Sequence, residues 1–177
     1  MEAARSVGYR RPMNASAKTP LQIPTAASPS ADPGPASLFR RPTSPEHLNG
    51  LSRDTAIAAL GIVFTEVGPD YLRGTMPVDE RTRQPYGLLH GGASVLFAET
   101  LGSSAGNQCV PEGSVCVGIE INANHVRGVR SGLVTGTARA VHVGGRTQVW
   151  EIRIEDEHGR LACISRLTLA VVAAGGA

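Results

Sequence analysis

Val115, Val117, Ile119, Ile121 and Ala123 alternate with Cys116, Gly118, Glu120, Asn122 and Asn124. A period of two held over ten residues specifies a β-strand, because a helix would scatter both sets around its axis. Three more strand-like segments follow, at residues 133–141, 147–154 and 161–171. They are parted by Ser131-Gly132, Gly144-Gly145 and Glu157-His158-Gly159. Turns this short join antiparallel neighbours, since a parallel crossover needs a dozen residues or more. The second half of the chain is therefore expected to form an antiparallel sheet.

The first half supplies what covers it. Residues 91–106 read as a helix that is apolar nearly all round, with Val95, Leu96, Phe97, Ala98 and Leu101, so it is expected to be buried. Two strand-like segments precede it, residues 62–67 and 71–78, joined by Gly68-Pro69-Asp70. Before them, Ser44-Pro45-Glu46 reads as a helix start with proline at the first helical position. That short helix should run through Leu48, Leu51 and Ala58 and end at Gly61. One long apolar helix laid on an antiparallel sheet makes an α+β layer.

Residues 1–44 differ from the rest. KTPLQIPTAASPSADPGPASLFRRPTSP is rich in Pro, Ala and Ser and has no apolar period to bury, so a disordered tail is expected there. Its arginines would suit a transit peptide, but its prolines oppose the amphipathic helix such peptides form. Met13 is an alternative start. Residues 45–177 are expected to be one domain, and 177 residues suffice for a real core.

A formal charge of +2, with no long Lys/Arg block, argues against a nucleic-acid partner. No apolar run approaches the roughly 18 residues of a membrane span. Cys109, Cys116 and Cys163 are odd in number and show no metal-ligand spacing, so no metal is expected. Free thiols in apolar surroundings fit a reducing cytoplasm.

The chemistry concentrates in GLLHGGASVLFAET, residues 87–100. Glu99 shares a helix face with Val95, Leu96, Gly102 and Ser103, where burial would make an ionised carboxylate costly and favour a base. The bland alternative, an Arg partner or solvent at a subunit interface, stands on equal terms. A helix N-terminus offers free N–H groups, and Gly91 and Gly92 would let a carbonyl approach the backbone. The Gly91 amide with a carboxylate two turns on fits acyl transfer. His90 and Gln84 alone have ordinary structural explanations. There is no nucleophile elbow, GxGxxG or P-loop.

The runs MPVDERTRQPYGLLHGGASVLFAETLGS, VGIEINANHVRGVRSGLVTG and HVGGRTQVWEIRIEDEHGRLACISRLT together resemble hotdog-fold acyl-CoA thioesterases, over about residues 48–171. The group they resemble most is the bacterial 1,4-dihydroxy-2-naphthoyl-CoA thioesterases of menaquinone synthesis. These are related to 4-hydroxybenzoyl-CoA thioesterases of Arthrobacter type and to phenylacetate-pathway thioesterases. The resemblance implies a hotdog fold, an antiparallel sheet wrapped around a long central helix. It implies homodimers with active sites at the subunit interface, usually paired into homotetramers.

On the same resemblance, Glu99 is the nucleophile or general base and the Gly91 amide polarises the thioester carbonyl. Gln84 and His90 orient carbonyl and water, and Ser103 is a helper hydroxyl. CoA contacts fall on Gly118, on His125, Val126, Arg127 and Gly128, and on His142, Val143, Gly144, Gly145, Arg146 and Thr147. Arg127 and Arg146 suit its phosphates. CoA is then part of the substrate, and no separate cofactor is implied. Two alternatives remain at this point: a hotdog dehydratase or hydratase, and a non-catalytic acyl-CoA-binding protein.

Overall fold

The computed structural model describes residues 37–175. Two short helices, α1 (Pro45–Leu51) and α2 (Ala56–Ala59), lead into strands β1 (Val63–Val67) and β2 (Tyr71–Pro77). The long helix α3 (Gly91–Gln108) precedes β3 (Ser114–His125), β4 (Leu133–Val143), β5 (Thr147–Glu155) and β6 (Leu161–Ala173). Ser44 caps α1 by accepting the His47 N–H, as its sequence predicts. The single helix expected up to Gly61 is two, because Asp54 takes a positive φ of 56° and Thr55 caps a fresh turn. At the far end α3 runs to Gln108, beyond the expected Gly106.

The six strands form one antiparallel sheet in the order β1-β2-β4-β5-β6-β3. Neighbour pairing holds for β4, β5 and β6 but fails for β3, which skips β4 and lies beside β6 at the sheet edge. The connection at residues 126–132 permits this. Seven residues reach roughly 23 Å, whereas three strand spacings need only about 14 Å.

Helix α3 lies on one face of the sheet. Phe97, Leu101 and Ala105 meet a core that includes Leu72, Met76, Trp150 and Leu167, all inaccessible to solvent. The approach is close: a Cβ added at Gly102 would fall 2.6 Å from Leu167 Cδ2. One buried polar group crosses the layers. Gln148 donates to the Gly106 carbonyl (3.3 Å) and accepts from the Trp150 indole (3.0 Å), so none of these groups is left unpaired.

Two expectations are corrected. Helix α3 is not buried all round: Val95, Leu96, Glu99, Thr100, Ser103 and Asn107 are only half-covered within one chain. Secondly, a disordered tail is expected over residues 1–44; residues 1–36 lie outside those described, and residues 37–43 pack on the domain. Leu38 and Phe39 rest against the core, and Arg40 N–H donates to the Gln108 carbonyl (2.8 Å). The Arg41 guanidinium bonds the carbonyls of Pro111 and Ser114. An apolar pair inside a Pro/Ser-rich run carries no period, yet it buries.

Candidate functional site

The start of α3 is built by a histidine. His90 is the N-cap, and its Nδ1 accepts the Gly92 N–H at 2.8 Å. A neutral His90 must then carry its proton on Nε2. The cap leaves the Gly91 N–H out of its bonding, and among the described residues no other group is seen to accept it. His90 is tied back by its own N–H to the buried Thr82, through a carbonyl at 2.8 Å. Thr82 in turn donates its hydroxyl to the Pro77 carbonyl, which fixes the loop that enters the helix.

A cleft of about 380 Å³ opens at this helix end. Gln84, Gly91, His125, Val126, Arg127 and Gly128 all line it. Segments separated by forty residues in sequence meet because β3 ends here. Val126 N–H and Arg127 N–H both reach the Ala162 carbonyl, at 2.9 and 3.2 Å, which turns the chain across the helix terminus. His125 stands over the first helical residue, since a Cβ at Gly91 would lie 3.0 Å from its Nε2. Gln84 Oε1 accepts the Tyr86 N–H, which leaves its amide NH₂ for a ligand.

Glu99 does not line that cleft. It shares a second, smaller one of about 270 Å³ with Ser103, Leu96, Thr100 and Ile57 on the half-covered face of α3. Eight helical steps separate it from Gly91, about 12 Å along the axis. Within one chain the Gly91 amide and the Glu99 carboxylate therefore lie in separate clefts. Glu99 instead faces the edge strand: a Cβ at Gly118 would fall 2.6 Å from its Oε1.

The third group lies elsewhere again. Residues 142–147 span the end of β4, the β4–β5 turn and the start of β5, closed by the Gly144 N–H to the Thr147 carbonyl (3.0 Å). Val143, Gly144 and Gly145 line a further cleft with Leu38, Arg40 and Ser114. His142, Arg146 and Thr147 are exposed at this turn. The structure thus brings the expected residues into three places: the α3 N-terminus, the outer face of α3, and the β4–β5 turn.

The edge strand β3 is bare. Val117 and Ile119 are 36% and 63% exposed, and the strand has a neighbour on one side only. An unpaired strand edge with exposed apolar side chains is a site for another strand. Among the described residues no three His, Cys, Asp or Glu side chains gather as a metal ion would require. No helix among them is long and apolar enough to cross a membrane. The three cysteines are free and buried, as expected.

Sequence reasoning missed Asn107. Its amide bonds three backbone groups of α3 and β3, and a lone helical Asn carries no local signature of such a role.

Comparison with known proteins agrees with this architecture. Residues 86–163 match the thioesterase superfamily. A 1,4-dihydroxy-2-naphthoyl-CoA hydrolase of Escherichia coli is 50% identical over 135 residues, covering 76% of this chain and 99% of that one. The proofreading thioesterase EntH of Cronobacter sakazakii is also 50% identical over 135 residues, with 76% and 98% covered. A crystal structure of a thioesterase from Haemophilus influenzae superposes with a TM-score of 0.76 at 49% identity, covering 77% of this chain and 95% of that one.

Proposed function

We propose that this chain, which belongs to the thioesterase superfamily and is a thioester hydrolase, cleaves acyl-CoA esters of aromatic or other hydrophobic acids. Among aromatic substrates, 1,4-dihydroxy-2-naphthoyl-CoA is the first to test, because the Escherichia coli relative bears its name. That substrate would connect the enzyme to menaquinone synthesis. Three buried free thiols suit a cytoplasmic setting for it.

One observation carries the reading of the site: Gly91 and Glu99 lie on one helix, about 12 Å apart, with the acid against the edge strand β3. A second copy joined at β3 would carry its own Gly91 cleft toward this chain's Glu99, so the working unit is a homodimer. Pairs of such dimers would give the homotetramer.

In that unit the Gly91 N–H, at the positive end of α3, polarises the thioester carbonyl. Glu99 of the other copy attacks the carbonyl carbon or takes a proton from the attacking water. The Gln84 amide and His90 Nε2–H orient carbonyl and water, and Ser103, one turn past Glu99, offers a hydroxyl beside the acyl group. Arg127 and Arg146, with the turns that hold them, receive the CoA phosphates. The C–S bond breaks as the new C–O bond forms, water supplies the proton that CoA leaves with, and where Glu99 is the nucleophile that water cleaves the acyl–Glu99 anhydride, so no cofactor is consumed.

The test is a thiol-release screen over aryl- and fatty acyl-CoAs, including 1,4-dihydroxy-2-naphthoyl-CoA, with Glu99→Gln beside the wild type. Preference for aryl-CoAs and a loss of about 10²–10⁴ in turnover for Glu99→Gln are expected. Equal rates for the two proteins would remove Glu99 from the mechanism. Faster hydrolysis of straight-chain acyl-CoAs would overturn the aromatic preference.

A further inference from the structure

Asn107 sits two turns past Glu99 on the same stripe of α3, with Ser103 between them. Its side-chain amide is committed entirely to backbone. Nδ2 donates to the Ser103 carbonyl (2.9 Å) and to the Cys116 carbonyl (3.3 Å), while Oδ1 accepts the Cys116 N–H (2.9 Å). Within an antiparallel strand, one residue's N–H and C=O point to the same edge. Both groups of Cys116 are held by Asn107, so they point away from β6 and toward the free edge. The opposing residue agrees: Val171, the Cys116 partner on β6, sends its own N–H to the Arg146 carbonyl.

The period of two then places Gly118. It lies two residues beyond Cys116 and before the register shift that follows it, so its backbone faces the same edge. Its Cα–H points out of the sheet on the same face as the buried Cys116 side chain, toward α3, and there the Glu99 carboxylate rests against it. Strand β3 has only β6 as a strand neighbour, and on its free side Arg41 holds the Ser114 carbonyl at the strand's start while Asn107 holds Cys116. Asn107 is the link that ties this side to the helix carrying Glu99.

We propose that Asn107 is a positioning residue: by clamping Cys116 of β3 to α3 it fixes Gly118 against the Glu99 carboxylate and so sets the direction in which that acid points. The inference rests on Glu99 being the catalytic acid. It adds a residue that touches neither substrate nor reacting atoms. A displaced acid loses turnover more than binding, since the CoA contacts lie on other segments.

The experiment uses the full chain and benzoyl-CoA as probe, with Asn107→Ala, Glu99→Gln and the double variant, and follows Cys116 amide exchange. Asn107→Ala should speed exchange at Cys116 and lower kcat about tenfold, with KM changed less than about twofold. In the Glu99→Gln background it should cost nothing further, because the acid it aims is gone. Faster exchange at Cys116 with unchanged kcat would overturn the positioning role and leave the Glu99 reading standing. An equal loss in both backgrounds would do the same, and Glu99→Gln at the wild-type rate would remove both. Should Asn107→Ala fail to fold, Asn107→Asp carries the comparison, since it keeps the acceptor for the Cys116 N–H and loses the two donated bonds.

Discussion

Glu99 Oε1 lies against the α-carbon of Gly118, so near that a methyl group added there would stand 2.6 Å away. The acid sits on the central helix and the glycine on the free edge of the sheet, so this contact joins the two layers where a second copy would approach. Nothing larger than hydrogen fits at residue 118 while the carboxylate stays in place.

Gly118→Ala therefore tests the contact directly. The methyl meets only the end of a flexible side chain, on an exposed strand, so the fold should tolerate it and the melting temperature should hardly move. The carboxylate must swing aside, and kcat for an aryl-CoA should fall about 10- to 100-fold. Steady-state kinetics with a melting curve on the same sample checks both halves. Full activity in the variant would mean that this placement of Glu99 is irrelevant to turnover.

Much of this layout is legible in the residues, and the part that is not has a common cause. The alternation of 115–124 announces β3, and Ser44-Pro45-Glu46 announces the start of α1, because both signals are local. The HGG run marks the start of α3, although His90 as its cap is an uncommon choice that propensity would not pick. The partner of β3 is another matter. Pairing with β6 rather than β4 is settled by how residues 126–132 cross the sheet end, which no local pattern encodes. The same holds for Asn107, which becomes informative only when Cys116 is beside it. Glu99 was legible as an awkward acid, but its separation from Gly91 follows from helix length, which the spacing already contained.

Gly102 tests how tightly the helix is seated. Its missing Cβ leaves room for Leu167, whose Cδ2 would be 2.6 Å from an added methyl, and Leu167 is fully buried. Overpacking of this kind costs about 1–3 kcal/mol, while replacing a helical Gly by Ala returns about 1 kcal/mol. Packing wins, and Gly102→Ala should be destabilised by about 1 kcal/mol in urea unfolding. A stabilised variant would show that helix and sheet have slack between them.

Arg127 and Arg146 should separate binding from chemistry. Among the described residues neither guanidinium is part of an ion pair, although five other arginines are. Unpaired cations beside an open cleft and an exposed turn are placed for phosphate rather than for stability. Replacing either by Ala should raise KM for an acyl-CoA several-fold, by about 1 kcal/mol, with kcat little changed. The wild-type KM should itself rise with salt, and less steeply in the variants. A fall in kcat at constant KM would place these arginines in the chemical step instead.

Cys109 gives the pH dependence its sign. Its side chain is buried and donates to the Ala105 carbonyl at 3.4 Å. Burial, with the nearby Cys116 as a smaller contribution, pushes the thiol up from an ordinary 9.0 to about 11. The folded state therefore favours the protonated form. Its stabilising effect is complete below pH 9 and is lost as pH rises through 11. A displacement of that size corresponds to about 2–3 kcal/mol. Urea unfolding should show falling stability between pH 9 and 11, and Cys109→Ala should flatten that fall in part, because burial raises Cys116 and Cys163 in the same direction. The same burial should keep the native thiols unreactive toward iodoacetamide at pH 8, with alkylation appearing only on unfolding. Rapid labelling of Cys109 in the folded protein would contradict its burial and remove this source of pH dependence.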